Sequence, residues 1–597
     1  MGEPKSACGL CFVKYSRKIV KTEEFSENRN SSVVLCIRCV KINVVTKTNF
    51  LSGSQAIRQG RRIVMRRAKK LLRIIFGRTT FVVTSLFLQA ALLGIILMSL
   101  TQYSAYLYGL SFFVGAVTLI RILAKEGSMS MKTAWVVPIL LLPIFGTLLY
   151  LFFKLQPGTH KVNRRIQELT RKTDGFLRQE RDVLYAYGRS EGTGGNIAVY
   201  MNRYGRFPIY DGTEVTYYPL GDDFFPALLS ELERAEKFIF MEYFIVDQGE
   251  MLDSVLKILR RKAKSGVEVR FMYDGMNWLT HLPYHFPKMM RSEGIRCKMF
   301  APIRPVLSSM QNNRDHRKIC VIDGETAFTG GVNLADEYIN RKIRFGHWKD
   351  SAVRVKGKAA QSFTMMFLQM WNITESEEDD YRRFIRTEPV RIGDDRGEES
   401  LSEGKRPVTP DDPDFPGFVM PYADSPLDNV QVGEQVYLDI INGAKNYVHI
   451  MTPYLILDDP VLVALKYAAR RGVNTVIMMP HIPDKIYAYL LARSFYRELI
   501  SAGVRIYEYE PGFIHSKTFV ADDEKAVVGT INLDFRSLYL HFEDAVYLSR
   551  CPAVRDVERD FSETLKKCIP ITLEDCENFP LWKRIAGSAL RLFAPLM

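Results

Sequence analysis

Between residues 79 and 120 the chain has no charged side chain. A helix needs about 20 apolar residues to cross a bilayer. The run therefore has room for two crossings, 79–100 and roughly 105–120, with a polar break at "TQYSAY". A third charge-free stretch, "TAWVVPILLLPIFGTLLYLFF", occupies 133–153. Three such runs in close succession argue against a buried soluble helix. Their length and number argue against a cleaved signal peptide. Acids are also absent from 61–78, where eight Lys/Arg stand, and a second basic stretch follows Lys154. The positive-inside tendency places basic flanks in the cytoplasm, which leaves the number of crossings open at two or three.

Cysteine is sparse, nine in 597 residues. Cys297, Cys320, Cys551, Cys568 and Cys576 are scattered, as thiols are in a reducing compartment. Cys8, Cys11, Cys36 and Cys39 form two C-x-x-C pairs that could hold a structural zinc tetrahedrally. The alternative is that residues 1–60 are an extension outside the fold, with Met65 a natural start. The chain also lacks an obvious cluster of carboxylates to hold a catalytic metal. Its net charge of +14 suits an anionic partner, nucleic acid or lipid.

Beyond residue 195 the chain is written twice. "ALLSELERAEKFIFMEYFIVDQGEMLDSVLKILRRKAKSGVEVRFMYD" (227–274) parallels "YLDIINGAKNYVHIMTPYLILDDPVLVALKYAARRGVNTVIMMP" (437–480). Each copy reads helix, buried strand, helix, Gly, strand. Alternating β and α elements predict an α/β sandwich with a largely parallel sheet. The expected organisation is an extension (1–60), a membrane region (61–155), a first α/β domain (195–385), a Pro/Gly-rich charged linker (386–417), a second α/β domain (418–575) and a C-terminal segment (576–597). The last, "LWKRIAGSALRLFAPLM", is apolar with three basic residues. It either lies flat on anionic lipid or packs on the second domain.

The sharpest repeat is "HRKICVIDGETAFTGGVN" (316–333) against "HSKTFVADDEKAVVGTIN" (515–532). His316, Lys318, Asp323 and Asn333 recur as His515, Lys517, Asp522 and Asn532 at the same internal spacing. A lone His is ordinarily a structural residue. A doubled H-x-K-x4-D-x6-G-x-x-N pattern asks for a shared site between two copies packed as a pseudo-dimer. Residues i and i+2 of a strand share a face, so each His and Lys project together. Two imidazoles, two ammoniums and the amides of Asn333 and Asn532 suit a phosphodiester. One neutral His attacks phosphorus. The other protonates the departing oxygen and later deprotonates the incoming one. Lys and Asn hold the non-bridging oxygens. The scheme calls for no metal and no cofactor. Asp350 before "SAVRV" and Glu543 before "DAVYL" are expected to orient the imidazoles from behind. Asp323 and Asp522 belong to the catalytic motif, yet their place at turns fits a structural role.

These words resemble the phospholipase D superfamily and, within it, the bacterial cardiolipin synthases. The likeness is carried by "WVVPILLLPIFGTLLYLFF", "RDHRKICVIDGETAFTGGVNLADEY", "TPYLILDD", "PGFIHSKTFVADDEKAVVGTINLDFRSLYLHFE" and "LFAPLM", from about residue 66 to the end. It implies two phospholipase D-like domains in a bacterial cell membrane, with the catalytic part on the cytoplasmic side. It also implies transfer of a phosphatidyl group between two phosphatidylglycerols, giving cardiolipin and glycerol. Family habit makes His316 the nucleophile, although these residues do not distinguish it from His515. Many relatives carry Asn where this chain has His541, which bears on acceptor choice. The superfamily also contains nucleases, lipid hydrolases and phosphatidylserine synthases. The membrane segments favour lipid over nucleic acid. A non-catalytic scaffold binding anionic lipid sits poorly with intact His, Lys and Asn in both copies. The oligomeric state is left open.

Overall fold

The computed structural model describes residues 104–154, 157–192, 196–302, 312–385, 415–428 and 430–596, with 87, 91 and 95. The four clustered cysteines, the first charge-free run and most of the 386–417 linker lie outside the described residues. Residues 76–597 form one compact unit.

The first half supplies β1 (Glu214–Tyr218), β2 (Phe238–Tyr243), β3 (Glu268–Asp274), β4 (Arg296–Phe300), β5 (Lys318–Ile322), β6 (Thr326–Gly330), β7 (His347–Lys349) and β8 (Ala352–Lys356). All but β7 form a seven-stranded sheet in the order β1-β8-β6-β5-β2-β3-β4. The second half supplies β9 (Phe418–Asp424), β10 (Tyr447–Met451), β11 (Leu455–Ile456), β12 (Asn474–Pro480), β13 (Arg505–Tyr509), β14 (Gly512–Ile514), β15 (Thr518–Ala521), β16 (Lys525–Gly529), β17 (Leu533–Asp534), β18 (Glu543–Ser549) and β19 (Cys568–Ile571). Its main sheet runs β19-β13-β12-β10-β15-β16-β18-β9. The repeat in the sequence is thus a repeat in the fold.

The sheets are mixed rather than largely parallel. Within the two main sheets only β2-β3-β4 and β10-β12-β13 run parallel, joined by the helices the periodicity predicts. The matched motif segments β5-β6 and β15-β16 are instead tight hairpins, which forces antiparallel pairing. Asp323 and Gly324 have φ of 54° and 70°, and Asp522 and Asp523 both 56°. The two consecutive positive φ values sit at the centre of each tight turn, which Glu325 N–H closes by donating to the Ile322 carbonyl and Glu524 N–H by donating to the Ala521 carbonyl.

β5 and β15 are buried along their whole length, so they read as unbroken apolar runs rather than alternating ones. β6 and β8 pack against β16, and β6 also against β18. One apolar cluster runs through both halves, from Phe240 and Val321 to Val527 and Val546. Charged ties cross the same boundary: Lys349 Nζ reaches Asp560 Oδ2 at 2.7 Å, and Tyr217 donates to the same oxygen at 2.6 Å.

A helix at Ser104–Ala124 covers the second charge-free segment. The 133–153 run does not form one continuous rod. It splits into Met129–Leu141 and Pro143–Lys154, because Pro143 cannot donate into the preceding turn. The two pieces fold back on each other. A Cβ at Gly146 would lie 2.5 Å from the Pro138 carbonyl, so only glycine admits this approach. Among the described residues no helix is long and apolar enough to cross a membrane. The C-terminal helix Leu581–Phe593 packs on Ile486–Ser501, with Gly587 against the Leu490 carbonyl and Arg591 over the Phe495 ring. Its other side leaves Leu581, Trp582 and Ile585 exposed.

Candidate active site

His316 and His515 stand just before β5 and β15, and each is held by the other half of the molecule. The β7 strand pairs in parallel with β14, matching Lys349 with Ile514. This brings Asp350 beside His515, whose Nδ1 lies 2.6 Å from Asp350 Oδ2. The reciprocal pairing is a bridge between Asp315 and Phe542. It brings Glu543 beside His316, whose Nδ1 lies 2.8 Å from Glu543 Oε2. The backbone repeats the crossing. His316 N–H donates to the Phe542 carbonyl at 2.9 Å and His515 N–H to the Lys349 carbonyl at 2.7 Å. In each case the acceptor is the residue just before the carboxylate.

Both carboxylates are fully buried, and small residues admit them. A Cβ at Gly331 would lie 1.8 Å from Asp350 Oδ1. At the equivalent place in the second half Thr530 donates its hydroxyl to Glu543 Oε2 at 2.5 Å. A carboxylate accepting from Nδ1 fixes the proton there and leaves the Nε2 lone pair free.

Burial and the neighbouring ammoniums depress the basicity of both rings. His316 is held well below its ordinary value by burial, then by Lys318, Lys517 and His515. His515 is pulled down to about 4 by burial and Lys517, with Asp350 opposing. Each ring is lowered in part by the other half's lysine, His316 by Lys517 and His515 by Lys318. Burial raises the Asp350 carboxyl, but His515 and Lys517 more than offset this and leave it below the usual range.

Lys318 and Lys517 are buried beside the rings. Lys318 Nζ donates to the His316 carbonyl at 2.5 Å. Lys517 Nζ donates to the His515 carbonyl and lies 2.9 Å from His515 Nδ1. That nitrogen cannot both accept from Lys517 and donate to Asp350; the shorter contact with the carboxylate sets the tautomer. Burial lowers Lys318 to about 8 and Lys517 to about 7.

The motif aspartates stand elsewhere. Asp323 closes the β5–β6 turn and accepts from the backbone N–H groups of Glu236, Lys237 and Phe238, each at 2.8 Å. Asp522 does the same for Lys445, Asn446 and Tyr447 at 2.6–2.9 Å. Each fixes the start of the strand that neighbours its own His-bearing strand. Asn333 accepts from Ile245 N–H at 2.9 Å and donates to Tyr338 at 2.8 Å. Asn532 donates to Ser537 at 3.0 Å. Each side-chain amide keeps a second N–H for another acceptor.

Sequence reasoning missed the aromatic walls. Phe244 lies 4.8 Å from the His316 ring centroid, and Tyr338 and Trp348 lie 5.4 and 5.5 Å from that of His515. Aromatics scattered over three elements carry no spacing that could mark them. His541 lies 5.4 Å from His316. Burial pulls its ring down to about 3, and neither ring nitrogen has a partner.

The family model described as "Cardiolipin synthase, PLD-like domain" matches residues 228–371 and 437–565, one stretch in each half. A second, "Phospholipase_D-nuclease N-terminal", matches 112–154. A cardiolipin synthase of Geobacillus kaustophilus is 35% identical over 400 residues, 66% of this chain and 74% of that one. Cardiolipin synthase 2 of Bacillus cereus is 32% identical over 496 residues, 82% of this chain and 90% of that one. An uncharacterized protein of Streptococcus mutans is 44% identical over 463 residues, 78% of this chain and 96% of that one. The chain belongs to the cardiolipin synthase family of the phospholipase D superfamily, and it is a phosphatidyltransferase.

Proposed function

We propose that the chain makes cardiolipin from two phosphatidylglycerols through a phosphatidyl group carried on His316. The observation that carries this is the crossed bracing of the two histidines, each by a carboxylate of the other half. His316 is the nucleophile because burial and four cationic or ionisable neighbours, Lys318, Lys517, His515 and Lys485, keep its ring neutral. His515 is the acid and base because Asp350 favours its charged form. An anionic phosphodiester entering beside it raises its basicity from that depressed value, so that the ring takes up a proton on Nε2 as well as Nδ1.

The Nε2 lone pair of His316 attacks phosphorus and the bond to the glycerol oxygen breaks. His515 gives its Nε2 proton to that oxygen, and glycerol leaves. The terminal hydroxyl of a second phosphatidylglycerol then gives its proton back to His515. Its oxygen attacks phosphorus, the P–N bond breaks and cardiolipin departs. Lys318, Lys517 and the spare N–H groups of Asn333 and Asn532 hold the non-bridging oxygens, where charge concentrates in each transition state. Asp323 and Asp522 act on the scaffold.

The substrate is a membrane lipid, and the apolar surface of the protein suits that. Leu110, Phe112, Phe113 and Ile120 are exposed on the Ser104–Ala124 helix. The Met129–Leu141 helix packs on the C-terminal helix, which exposes Leu581, Trp582 and Ile585 beside Lys583 and Arg584. These helices, with the charge-free run before them, attach the enzyme to the bilayer. The sulfur chemistry and basic flanks favour the cytoplasmic side.

The test is product analysis with phosphatidylglycerol as sole lipid, with and without a chelator. Cardiolipin and glycerol in equal amounts support the reading. Phosphatidic acid as the main product makes water the acceptor and overturns it.

A further inference from the structure

His541 is the one buried imidazole among the described residues at the site that the transfer chemistry leaves unused. It is 7% exposed, and both its ring nitrogens lack a hydrogen-bond partner. Glu543 Oε1 is buried and unpartnered as well. The two face one another: His541 Nδ1 lies 3.6 Å from Glu543 Oε1, too far for a hydrogen bond. A buried polar atom left without a partner costs free energy, so three together call for something that satisfies them.

His316, His541 and Glu543 each place one ligand atom within 4.8 Å of the other two. Two imidazoles and one carboxylate are a donor set that zinc takes in open, four-coordinate sites. Metal–nitrogen bonds of about 2.0 Å put the ligand atoms of a tetrahedral site about 3.3 Å apart. A modest inward shift of the His541 ring, which no hydrogen bond restrains, closes the set.

We propose that His316, His541 and Glu543 form an inhibitory site for a divalent transition metal such as zinc. Metal on His316 Nδ1 displaces that proton, and a neutral ring then carries its proton on Nε2. Metal on Nε2 takes the lone pair directly. Either way the ring loses the pair it needs to attack phosphorus. Glu543 at the same time exchanges its bond to His316 for one to the metal. Lys318 and Lys517 repel a dication and weaken the site, which keeps the metal exchangeable. The inhibitory consequence rests on His316 being the nucleophile; the binding does not.

The experiment uses the full chain in lipid nanodiscs, wild type beside His541→Asn and His541→Gln. Cobalt(II) is titrated with visible absorption as readout, because a site of two imidazoles and a carboxylate shows d–d bands without thiolate charge transfer. Any cobalt on the cysteine pairs is thereby separated. Turnover is measured in parallel with zinc(II) and then with excess chelator. The expected result is one more non-thiolate cobalt in wild type than in either variant. Zinc then lowers wild-type turnover about tenfold or more relative to its own metal-free rate, reversibly, and lowers that of the variants about twofold or less. Identical cobalt titrations of wild type and both variants overturn the site. Wild-type-specific cobalt binding without loss of turnover leaves the site standing and counts against His316 as the nucleophile.

Discussion

His515 Nδ1 meets Asp350 Oδ2 at 2.6 Å across the boundary between the two halves, 165 residues apart in the chain. With the reciprocal contact of His316 and Glu543, it means that neither half holds a complete histidine site. On the proposed mechanism the duplicated motif works only when the halves are docked.

Asp350→Asn and Glu543→Gln test this bracing. Either amide can present its N–H to the imidazole and select the wrong tautomer. We expect kcat to fall by about 10²–10⁴-fold with KM little changed, the range of a lost acid–base function. Circular dichroism should be unaltered. An equal loss of kcat and of melting temperature would make the carboxylates structural instead.

Asp323→Ala and Asp522→Ala separate the motif's aspartates from its chemistry. Each removes an acceptor for three backbone N–H groups. Stability should drop by about 1–3 kcal/mol, the scale of charge-assisted bonds lost. Turnover per folded molecule should stay within a few-fold of wild type below the melting range.

Asp560→Ala tests the docking of the halves. It leaves Lys349, nearly buried, without its carboxylate and Tyr217 without its acceptor. Breaking a buried pair on one side costs about 3–5 kcal/mol. Activity should fall in step with the melting temperature, since the strand that brings Asp350 to His515 ends at Lys349.

The lysines predict an alkaline limb. Lys517 and Lys318 are held near 7 and 8, below the ordinary lysine value of about 10.4. As pH rises through that range they lose the charges that hold the phosphate. The plot of kcat/KM, which reports the free enzyme, should turn down with an apparent pKa between about 7 and 8. Titration of these lysines does not drive unfolding over the same range. Between about 7 and 10.4 the unfolded state binds more protons at these lysines, so their contribution to stability grows with pH. Lys517→Arg, which stays charged, should shift the limb upward. A melting temperature that falls along with kcat/KM would contradict this account.

Much of the site is legible in the sequence because the chain states it twice. His316, Lys318, His515 and Lys517 are marked by spacing, and Asp350 and Glu543 by their place before matching strands. What spacing cannot show is who meets whom. The short β7–β14 pairing that crosses the carboxylates leaves no periodic signal. The hairpins after each lysine made the sheets mixed, although the alternation of helices and strands pointed to parallel pairing. The 133–153 run looks continuous by hydropathy, but Pro143 and Gly146 fold it back. Tyr338, in a short 3-10 turn, and Trp348, in β7, wall the His515 side from positions that no motif marks.

The most direct test is where the phosphorus goes. Enzyme mixed with phosphatidylglycerol labelled at phosphorus, quenched within a turnover in alkali and digested, should carry acid-labile label on the peptide containing His316. The label should vanish in His316→Ala and clear on addition of unlabelled phosphatidylglycerol. Label on the His515 peptide, or turnover with no label on either histidine, would contradict the account.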